Sequence, residues 1–256
     1  PCIHTPIKHS RDVFSLPFDE VIEKCDYVYQ AIRHLKATLN QQIPLIGFAG
    51  SPWTLACYML EGKSTAQFPK AKQFMYEHPI AMEELINQLS TVIAGYLAKQ
   101  AEAGADVLFL IDTWGALLPQ DDFQLYSLNA LMTIQKELKS YYHIDKPFLL
   151  YSKGLRLHHQ SFFSEHGFQG GLGLDWTFDL ASAQNRFSYP IQGNLDPHIL
   201  LAGPTITQNY TQRMLESLPS AHQGFVASLG HGILPSTPVE SVHAFVDTVK
   251  AFTKMP

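Results

Sequence analysis

The sequence contains few cysteines and few arginines, and each shortage excludes a class of protein. The three cysteines, Cys2, Cys25 and Cys57, are odd in number and far apart, which argues against a disulfide framework and a Cys-rich zinc site. Arginine occurs only at positions 11, 33, 156, 186 and 213, and the formal net charge is -5. Because a phosphate-binding protein needs a basic face, we do not expect nucleic acid as a partner.

Long apolar runs and the motifs of common cofactor sites are also absent. No apolar run reaches the roughly 18 residues that span a bilayer, so we expect a soluble, cytosolic protein without membrane contact. No glycine-rich dinucleotide fingerprint or Walker sequence follows a strand, and there is no H-E-x-x-H or paired C-x-x-C. We therefore expect neither a nucleotide cofactor nor a metal, and we interpret the adjacent His158 and His159 as surface or cap residues.

Six short apolar segments, bounded by turn-forming residues, recur along the chain. Segments this short and apolar throughout are typical of buried parallel strands. They cover residues 43–50, 106–113, 147–154, 169–176, 189–196 and 224–230.

Helical patterns separate these segments. The clearest begins at Pro79, a residue that suits the first position of a helix, and its apolar residues recur at three- and four-residue steps as far as Leu97. The segment P-W-T-L-A-C-Y-M-L-E-G after the first strand is a second helix, which Ser51 caps and Pro52 begins. The alternation of strands and helices predicts an α/β protein with a parallel sheet. Further helices are predicted over residues 19–39, 121–141, 178–187, 205–218 and 238–252.

The strand ends distinguish an open doubly wound sheet from a closed barrel. Polar or glycine residues follow nearly every predicted strand, among them Asp112, Ser152 and His231. In a barrel these ends all meet at the face that carries the active site, whereas an open sheet concentrates its polar residues near one switch point. We therefore predict a (β/α)8 TIM-type barrel, with about six βα units present in a single domain over residues 1–256.

The two strands that this barrel still lacks are expected before Pro1, because the chain opens in a polar stretch that resembles the middle of a protein. The domain is then N-terminally incomplete. The strands near Leu45 and Phe225 are expected to have open edges, since six strands do not close an eight-stranded barrel.

Three residues in the segments that follow predicted strands are candidates for chemistry, and each also has a purely structural interpretation. His231 lies between Gly230 and Gly232, an arrangement that lets a ligand approach the ring but also occurs in ordinary turns. Tyr58 lies about two turns into a helix, where a tyrosine usually belongs to the core. Thr113 follows the second strand and is equally compatible with a cap. Hydroxyls, amides and one imidazole suit proton transfer to a substrate that supplies its own electron sink.

Five segments resemble uroporphyrinogen decarboxylases, enzymes of haem biosynthesis, in the order and at the spacing of that family. The resemblance extends over essentially the whole chain. It implies a cofactor-independent (β/α)8 barrel, a homodimer in the bacterial cytosol, which removes four acetate carboxyls of uroporphyrinogen III as CO2 and yields coproporphyrinogen III. The segments are PLIGFAGSPWTLACYMLEG, DTWGALL, GLDWT, QGNLDP and LGHGILPSTP.

The resemblance also implies the two catalytic residues. The family's substrate-contacting histidine in the motif L-G-H-G falls on His231, where it assists at a substrate carboxylate. The tyrosine of T-Y-M-V-E-G falls on Tyr58, although Cys57 and Leu60 depart from that motif.

Further substrate-binding residues follow from the same comparison. The hydroxyl residue of D-T-W-G-G falls on Thr113, with Ala116 in place of the second glycine. Phe48 and Ile111 fall on apolar positions that pack around the tetrapyrrole.

The implied mechanism needs no cofactor. Protonation of the ring carbon beside an acetate turns the pyrrole into a cationic electron sink, so the carboxylate leaves as CO2. In this family an aspartate stabilises the cation and arginines of an R-Q-A-G-R-Y motif bind the carboxylates, and this sequence contains neither motif. The strand ends offer only Lys153 and Arg156 to an anionic substrate, so the sequence leaves open whether this chain is active as a fragment.

Two other functions remain open. A cobalamin- or corrinoid-linked methyltransferase of the same fold needs a thiolate-rich zinc site, with a cysteine near the end of the last strand, where this chain has His231. A non-catalytic fragment would bind porphyrinogens and release no CO2.

Overall fold

The computed structural model describes residues 2–18, 20–39, 43–153, 155–218 and 224–252. The chain divides into two compact units, Pro1–Gly154 and Leu155–Pro256. In each unit parallel strands alternate with helices, which confirms the predicted α/β fold class. All six predicted strands are present, each shorter than its predicted segment, and each is followed by a helix.

The first unit contains the strands β1 (Ile46–Gly50), β2 (Val107–Asp112) and β3 (Phe148–Ser152). It also has a 3-10 turn at Gly115–Leu117 and a π-helical turn at Gln124–Leu128. Its α-helices are α1 (Ser10–Val13), α2 (Val21–Lys24), α3 (Asp26–Thr38), α4 (Pro52–Glu61), α5 (Pro69–Glu77), α6 (Pro79–Glu102), α7 (Gln120–Phe123) and α8 (Asn129–Ser140).

The three strands of this unit pair in parallel, with β2 between β1 and β3. Ala49 lies opposite Leu110, and Leu110 lies opposite Leu150, so these three side chains share one face of the sheet. All three are buried. The intervening residues point to the other face, which is more exposed in β1 and β2.

The long helix α6 confirms the periodicity that begins at Pro79. Its buried residues recur at three- and four-residue steps and include Met82, Leu85, Leu89 and Ile93. They form the stripe of an amphipathic helix that covers a core.

The helix predicted over residues 19–39 is interrupted, so that prediction was wrong in one respect. The helix α2 ends at Lys24 and α3 begins at Asp26, while Cys25 donates its backbone N–H to the carbonyl oxygens of Glu23 and Ile22. This tight turn breaks the regular ladder of helical hydrogen bonds. After it, Tyr29 and Ile32 of α3 pack in one apolar cluster. Asp19 lies outside the described residues.

The second unit contains β4 (Gly171–Gly173), β5 (Ile191–Leu195) and β6 (Phe225–Leu229), with β5 paired in parallel to both neighbours. Its α-helices are α9 (Gln160–Glu165), α10 (Leu180–Arg186), α11 (Pro204–Glu216) and α12 (Val239–Phe252), and 3-10 turns occupy Leu157–His159 and Pro197–Ala202. Across both units, none of the described helices is long and apolar enough to cross a membrane.

Candidate active site

The turn from β1 into α4 places Tyr58 and forms as the sequence predicts. Ser51 is the N-cap, its hydroxyl accepts the backbone N–H of Thr54 at 3.1 Å, and Pro52 occupies the first helical position. The helix ends at Gly62, which adopts the left-handed conformation with φ 85°. Tyr58 lies in the second turn of α4 and is half-buried.

A buried carboxylate lies at the end of β2. The side chain of Asp112 is fully buried and accepts hydrogen bonds from four hydroxyl groups. Ser51 and Thr54 each donate to its Oδ1 at 2.9 Å, and Ser127 and Ser152 donate to its Oδ2 at 2.5 and 3.1 Å. These donors come from the end of β1, from α4, from the π-helical turn and from β3, so one carboxylate connects four elements.

Thr113 is attached to α4 through this cluster. Its backbone N–H donates to the Thr54 hydroxyl at 3.1 Å, the same hydroxyl that donates to Asp112. Thr54 and Tyr58 are four residues apart on α4 and therefore lie on the same face of the helix. Thr113 is thus hydrogen-bonded to the helical face on which Tyr58 lies.

A chain of aromatic rings makes the second connection between these two residues. The ring of Tyr58 packs edge-on against Phe68 at a centroid distance of 5.3 Å, and Phe68 lies 4.9 Å from Trp114, the residue after Thr113. The indole Nε1 of Trp53, on α4, donates to the carbonyl oxygen of Trp114 at 3.0 Å. These contacts orient the segment that carries Thr113 against α4.

The glycine of the D-T-W-G segment is required by the buried carboxylate. A Cβ atom on Gly115 would overlap Asp112 Oδ2 and lie 2.6 Å from the Phe123 ring and 2.9 Å from Ser152 Oγ. Only glycine leaves room for the carboxylate at this position.

Phe48 and Ile111 lie on the same face of the first unit's strands, opposite the buried face of Ala49 and Leu110. Phe48 is 61% exposed and Ile111 is half-buried. This face is therefore an accessible apolar surface beside the ends of β1 and β2.

In the second unit, His231 follows β6 and is exposed. The backbone N–H of Gly232 donates to its Nδ1 at 2.8 Å, so the neutral ring carries its proton on Nε2. The ring packs edge-on against Trp176 at a centroid distance of 6.5 Å. Trp176 follows β4 and lies 6.3 Å from the ring of His198, which follows β5. The ends of three strands thus meet around one indole.

The two glycines beside His231 differ in how closely other atoms approach them. A Cβ on Gly230 would lie 2.6 Å from the backbone nitrogen of Trp176, so this glycine permits the close approach of two strand ends. A Cβ on Gly232 would meet nothing within 4 Å. Gly232 therefore lies in open space next to the exposed His231.

The histidines of the second unit also include a buried cap. His159 is 8% exposed, and its Nδ1 accepts the backbone N–H of Arg156 at 3.0 Å. Burial, followed by the charges of His158 and Arg156, lowers the pKa of His159 to about 4. The interpretation of this pair as surface or cap residues therefore holds for His158, which is exposed, and for His159 as a cap.

Within the described ranges, no three histidine, cysteine, aspartate or glutamate side chains are grouped so that they could hold a metal ion. Of the three thiols, that of Cys57 is buried, and burial raises its pKa well above the ordinary value, with Asp112 and Glu61 adding to the effect. Cys57 is therefore a neutral thiol.

Comparison with known proteins identifies the family. Residues 1–252 match the family model described as uroporphyrinogen decarboxylase (URO-D). The chain belongs to the uroporphyrinogen decarboxylase family. A uroporphyrinogen decarboxylase of Coxiella burnetii (strain RSA 493 / Nine Mile phase I) is 40% identical over 265 residues, which cover 99% of this chain and 70% of that protein. One of Legionella pneumophila (strain Corby) is 36% identical, covering 97% of this chain and 70% of that protein.

Solved structures show a similar fold at lower identity. A methyltransferase from Methanosarcina mazei superposes with a TM-score of 0.74 at 21% identity, covering 92% of this chain and 67% of that one. A B12-independent methionine synthase from Shewanella sp. W3-18-1 has a TM-score of 0.55 at 9% identity, covering 88% of this chain and 67% of that one. These likenesses concern the fold alone. Together with the family match, they support the predicted α/β class of repeated βα units, six of which lie in the described part of the chain.

The sequence indicated Asp112 only as a polar residue at the end of a strand, and Trp176 only as a residue of the segment G-L-D-W-T. The role of Asp112 depends on hydroxyls that lie 61, 58, 15 and 40 positions away. A signal was present, because Ser51 and Ser152 end the neighbouring strands and must lie beside Asp112 in a parallel sheet. Thr54 and Ser127 lie on helical segments, and no strand pattern indicates them.

Proposed function

We propose that this chain is a uroporphyrinogen decarboxylase, a carboxy-lyase that removes the four acetate carboxyls of uroporphyrinogen III as CO2 and forms coproporphyrinogen III. The observation that carries the proposal is the family match over residues 1–252. Curated relatives at 34–40% identity, all named uroporphyrinogen decarboxylase, support it.

The reaction requires a proton at a pyrrole carbon and stabilisation of the resulting cation, and it needs no metal or organic cofactor. Tyr58 and Thr113 are proposed to contact the substrate from the first unit. Two observations support this role: the Thr54 hydroxyl on α4 holds the backbone N–H of Thr113, and Phe68 packs against both Tyr58 and Trp114. The hydroxyl of Tyr58 is then the group that assists proton delivery.

His231 is proposed to contact a substrate carboxylate from the second unit. Its Nδ1 is occupied by the Gly232 N–H, so Nε2–H is the donor that it presents to an anionic oxygen. The edge-on contact with Trp176 limits the rotation of the imidazole. Phe48 and Ile111 are proposed to supply apolar contacts to the tetrapyrrole, which agrees with the exposed apolar face on which they lie.

A methyltransferase is the second candidate, because the Methanosarcina mazei methyltransferase has a similar fold. Thiol activation in that class needs thiolates on a zinc ion. In this chain the Cys57 thiol is buried with a raised pKa, and the end of β6 carries His231 in place of a cysteine. The chemistry of these residues favours the decarboxylase.

We also propose that the protein is a homodimer located in the cytosol, as the family resemblance implies. Light scattering after size-exclusion chromatography tests the dimer, since a homodimer has twice the 28.7 kDa mass of the chain.

The proposed function is tested with anaerobic uroporphyrinogen III and the purified protein, without any additive. The products are oxidised to porphyrins and separated by the number of carboxyl groups. We expect intermediates with seven, six and five carboxyls and a final product with four, and none with heat-denatured protein. Substrate that binds but keeps all its carboxyls would support the non-catalytic alternative. In a separate incubation with a methylated corrinoid and a thiol, methyl transfer to the thiol would support the methyltransferase.

A further inference from the structure

The Asp112 cluster consists of Asp112 and its four hydroxyl donors Ser51, Thr54, Ser127 and Ser152. Pairing of the strand ends does not by itself require this many side-chain hydrogen bonds. Removing a carboxylate from water costs several kcal/mol unless its oxygens are satisfied. Here the carboxylate is fully buried and each oxygen accepts two hydroxyl hydrogen bonds. Every partner of this carboxylate in the described chain is a neutral hydroxyl.

Neutral donors make the cluster sensitive to geometry. Hydrogen bonds to a charged acceptor are about twice as strong as those between neutral groups, and they hold only when the donors converge on the acceptor. Four elements must therefore keep fixed positions around Asp112. One of them is the π-helical turn that carries Ser127, a type of irregularity that occurs frequently at functional sites.

Thr54 connects the cluster to the candidate active site. Its hydroxyl donates to Asp112 and accepts from the backbone N–H of Thr113, so it uses both of its hydrogen-bonding capacities. One helical turn further along α4 lies Tyr58. A displacement of the Thr54 hydroxyl would therefore move the backbone of Thr113 and the helical face that carries Tyr58.

We propose that Asp112 and Thr54 are positioning residues for the decarboxylation, which hold Thr113 and Tyr58 in the geometry that the reaction needs. This inference rests on the proposed function. A misplacement of about 1 Å from a change outside the reacting groups can lower a rate by about a hundredfold. We expect the effect mainly on kcat, because the chemical step is more sensitive than substrate binding to small displacements of Thr113 and Tyr58.

The paired variants Thr54→Val and Thr54→Ser test the proposal. Valine has the shape of threonine but no hydroxyl, whereas serine restores the hydroxyl. For Thr54→Val we expect kcat to fall at least tenfold with KM within threefold of the wild-type value. For Thr54→Ser we expect kcat to return to within threefold of wild type. Ser90→Ala is the matched control, since Ser90 is a buried serine on α6 whose one hydroxyl bond, to Ile86 O, lies outside the cluster.

A second readout does not depend on turnover. Hydrogen exchange of the Thr113 amide reports its bond to the Thr54 hydroxyl directly. We expect exchange at least tenfold faster in Thr54→Val and restored protection in Thr54→Ser. If Thr54→Val does not fold, Ser127→Ala removes a single donor from Asp112 Oδ2 and is expected to show the same fall in kcat.

The outcomes separate the two proposals. A Thr54→Val protein with kcat within twofold of wild type would overturn the positioning role, and so would a Thr54→Ser protein as slow as Thr54→Val. Wild-type protein that releases no CO2 would overturn the proposed function instead. In that case hydrogen exchange of the Thr113 amide still tests the positioning role of Thr54. An exchange rate in Thr54→Val equal to that of wild type would contradict that role.

Discussion

At the scale of single residues, the catalytic role proposed for the hydroxyl of Tyr58 contrasts with the structural role of the hydroxyl of Tyr29. Tyr58 is half-buried on α4, and its ring packs against Phe68. Tyr29 is 4% exposed, and its hydroxyl donates to the carbonyl oxygen of Ile22 at 2.8 Å. We therefore expect the removal of each hydroxyl to affect a different property of the protein.

The variant Tyr58→Phe is expected to lower kcat for decarboxylation by about 10- to 100-fold, because a positioned proton donor contributes at least that much. Its free energy of unfolding is expected to stay within about 1 kcal/mol of wild type. The matched variant Tyr29→Phe is expected to lose about 1 kcal/mol of stability and to keep its kcat. Steady-state kinetics and urea denaturation measure both properties. Equal rates for Tyr58→Phe and wild type would make Tyr58 a structural residue.

Residue positions were predictable from the sequence where a local rule applies. Ser51 followed by Pro52 is an N-cap signature, and the structure confirms it with the bond to the Thr54 amide. The placement of Thr113 after β2 was predictable as well. The bond from the Thr113 backbone N–H to the Thr54 hydroxyl was not, because the two residues are 59 positions apart and meet only in the assembled sheet.

At the scale of elements, β1 pairs with a described strand on one side only, as the strand count predicts, and a helix side chain covers part of its other edge. The carbonyl oxygen of Leu45 and the N–H of Ser51 form hydrogen bonds to β2. Because the backbone groups of successive residues point to alternate sides of a parallel strand, those of Phe48 point away from β2. There, Phe48 N–H donates to Gln100 Oε1 at 3.0 Å and Gln100 Nε2 donates to Phe48 O at 3.1 Å. A side chain of α6 thus occupies the edge at Phe48. A hydrophobic pattern does not reveal such a cap, since Gln100 reads as an ordinary polar residue of a helix.

Gly115 tests how tightly the elements around the Asp112 cluster are packed. In Gly115→Ala, the new methyl group meets the Asp112 carboxylate, the Phe123 ring and Ser152 Oγ, which are fixed by burial. We expect a loss of about 1–3 kcal/mol in the free energy of unfolding, the usual cost of overpacking.

Gly232→Ala is the matched control, because its Cβ would meet nothing within 4 Å. Its free energy of unfolding is expected to stay within about 0.5 kcal/mol of wild type. Denaturant unfolding of the two variants side by side checks the pair. Equal stabilities would show that the segment around Gly115 relaxes without cost and would contradict the tight packing described here.

At the scale of the whole molecule, stability should depend on pH through buried groups such as His159. The pKa of His159 is lowered to about 4, whereas an unfolded histidine has a pKa near 6.5. Between about pH 4 and pH 6.5, His159 is therefore protonated in the unfolded chain and neutral in the folded chain. The contribution of His159 to this pH dependence should leave the free energy of unfolding at its highest above about pH 6.5. It should lower that free energy as the pH drops toward 4.

The variant His159→Gln isolates this effect, because glutamine offers an acceptor to the Arg156 N–H without a titrating ring. We expect the wild type to lose about 1–2 kcal/mol more than His159→Gln between pH 7 and pH 5. Urea denaturation at the two pH values measures the difference. Parallel losses in the two proteins would mean that His159 is not protonated on unfolding in this range.

The fold and family of the whole molecule were predictable because they rest on long signals. Six apolar segments gave the strands, and five motifs in order gave the family that the match over residues 1–252 shows. The helix break at Cys25 was not predictable, since it depends on how Tyr29 and Ile32 pack in tertiary structure. Sequence patterns specify which segments are strands and helices, whereas side-chain clusters such as that of Asp112 depend on the assembled sheet.

The central claim, decarboxylation by the residues of this chain, is tested most directly by counting CO2. Uroporphyrinogen III labelled in its acetate carboxyls is incubated with the protein without added metal or cofactor, and released CO2 and coproporphyrinogen are measured together. The account predicts four CO2 for each coproporphyrinogen formed, with a slower rate for Tyr58→Phe and for His231→Asn at the same final ratio. Substrate that binds to the protein and retains its label would contradict the account.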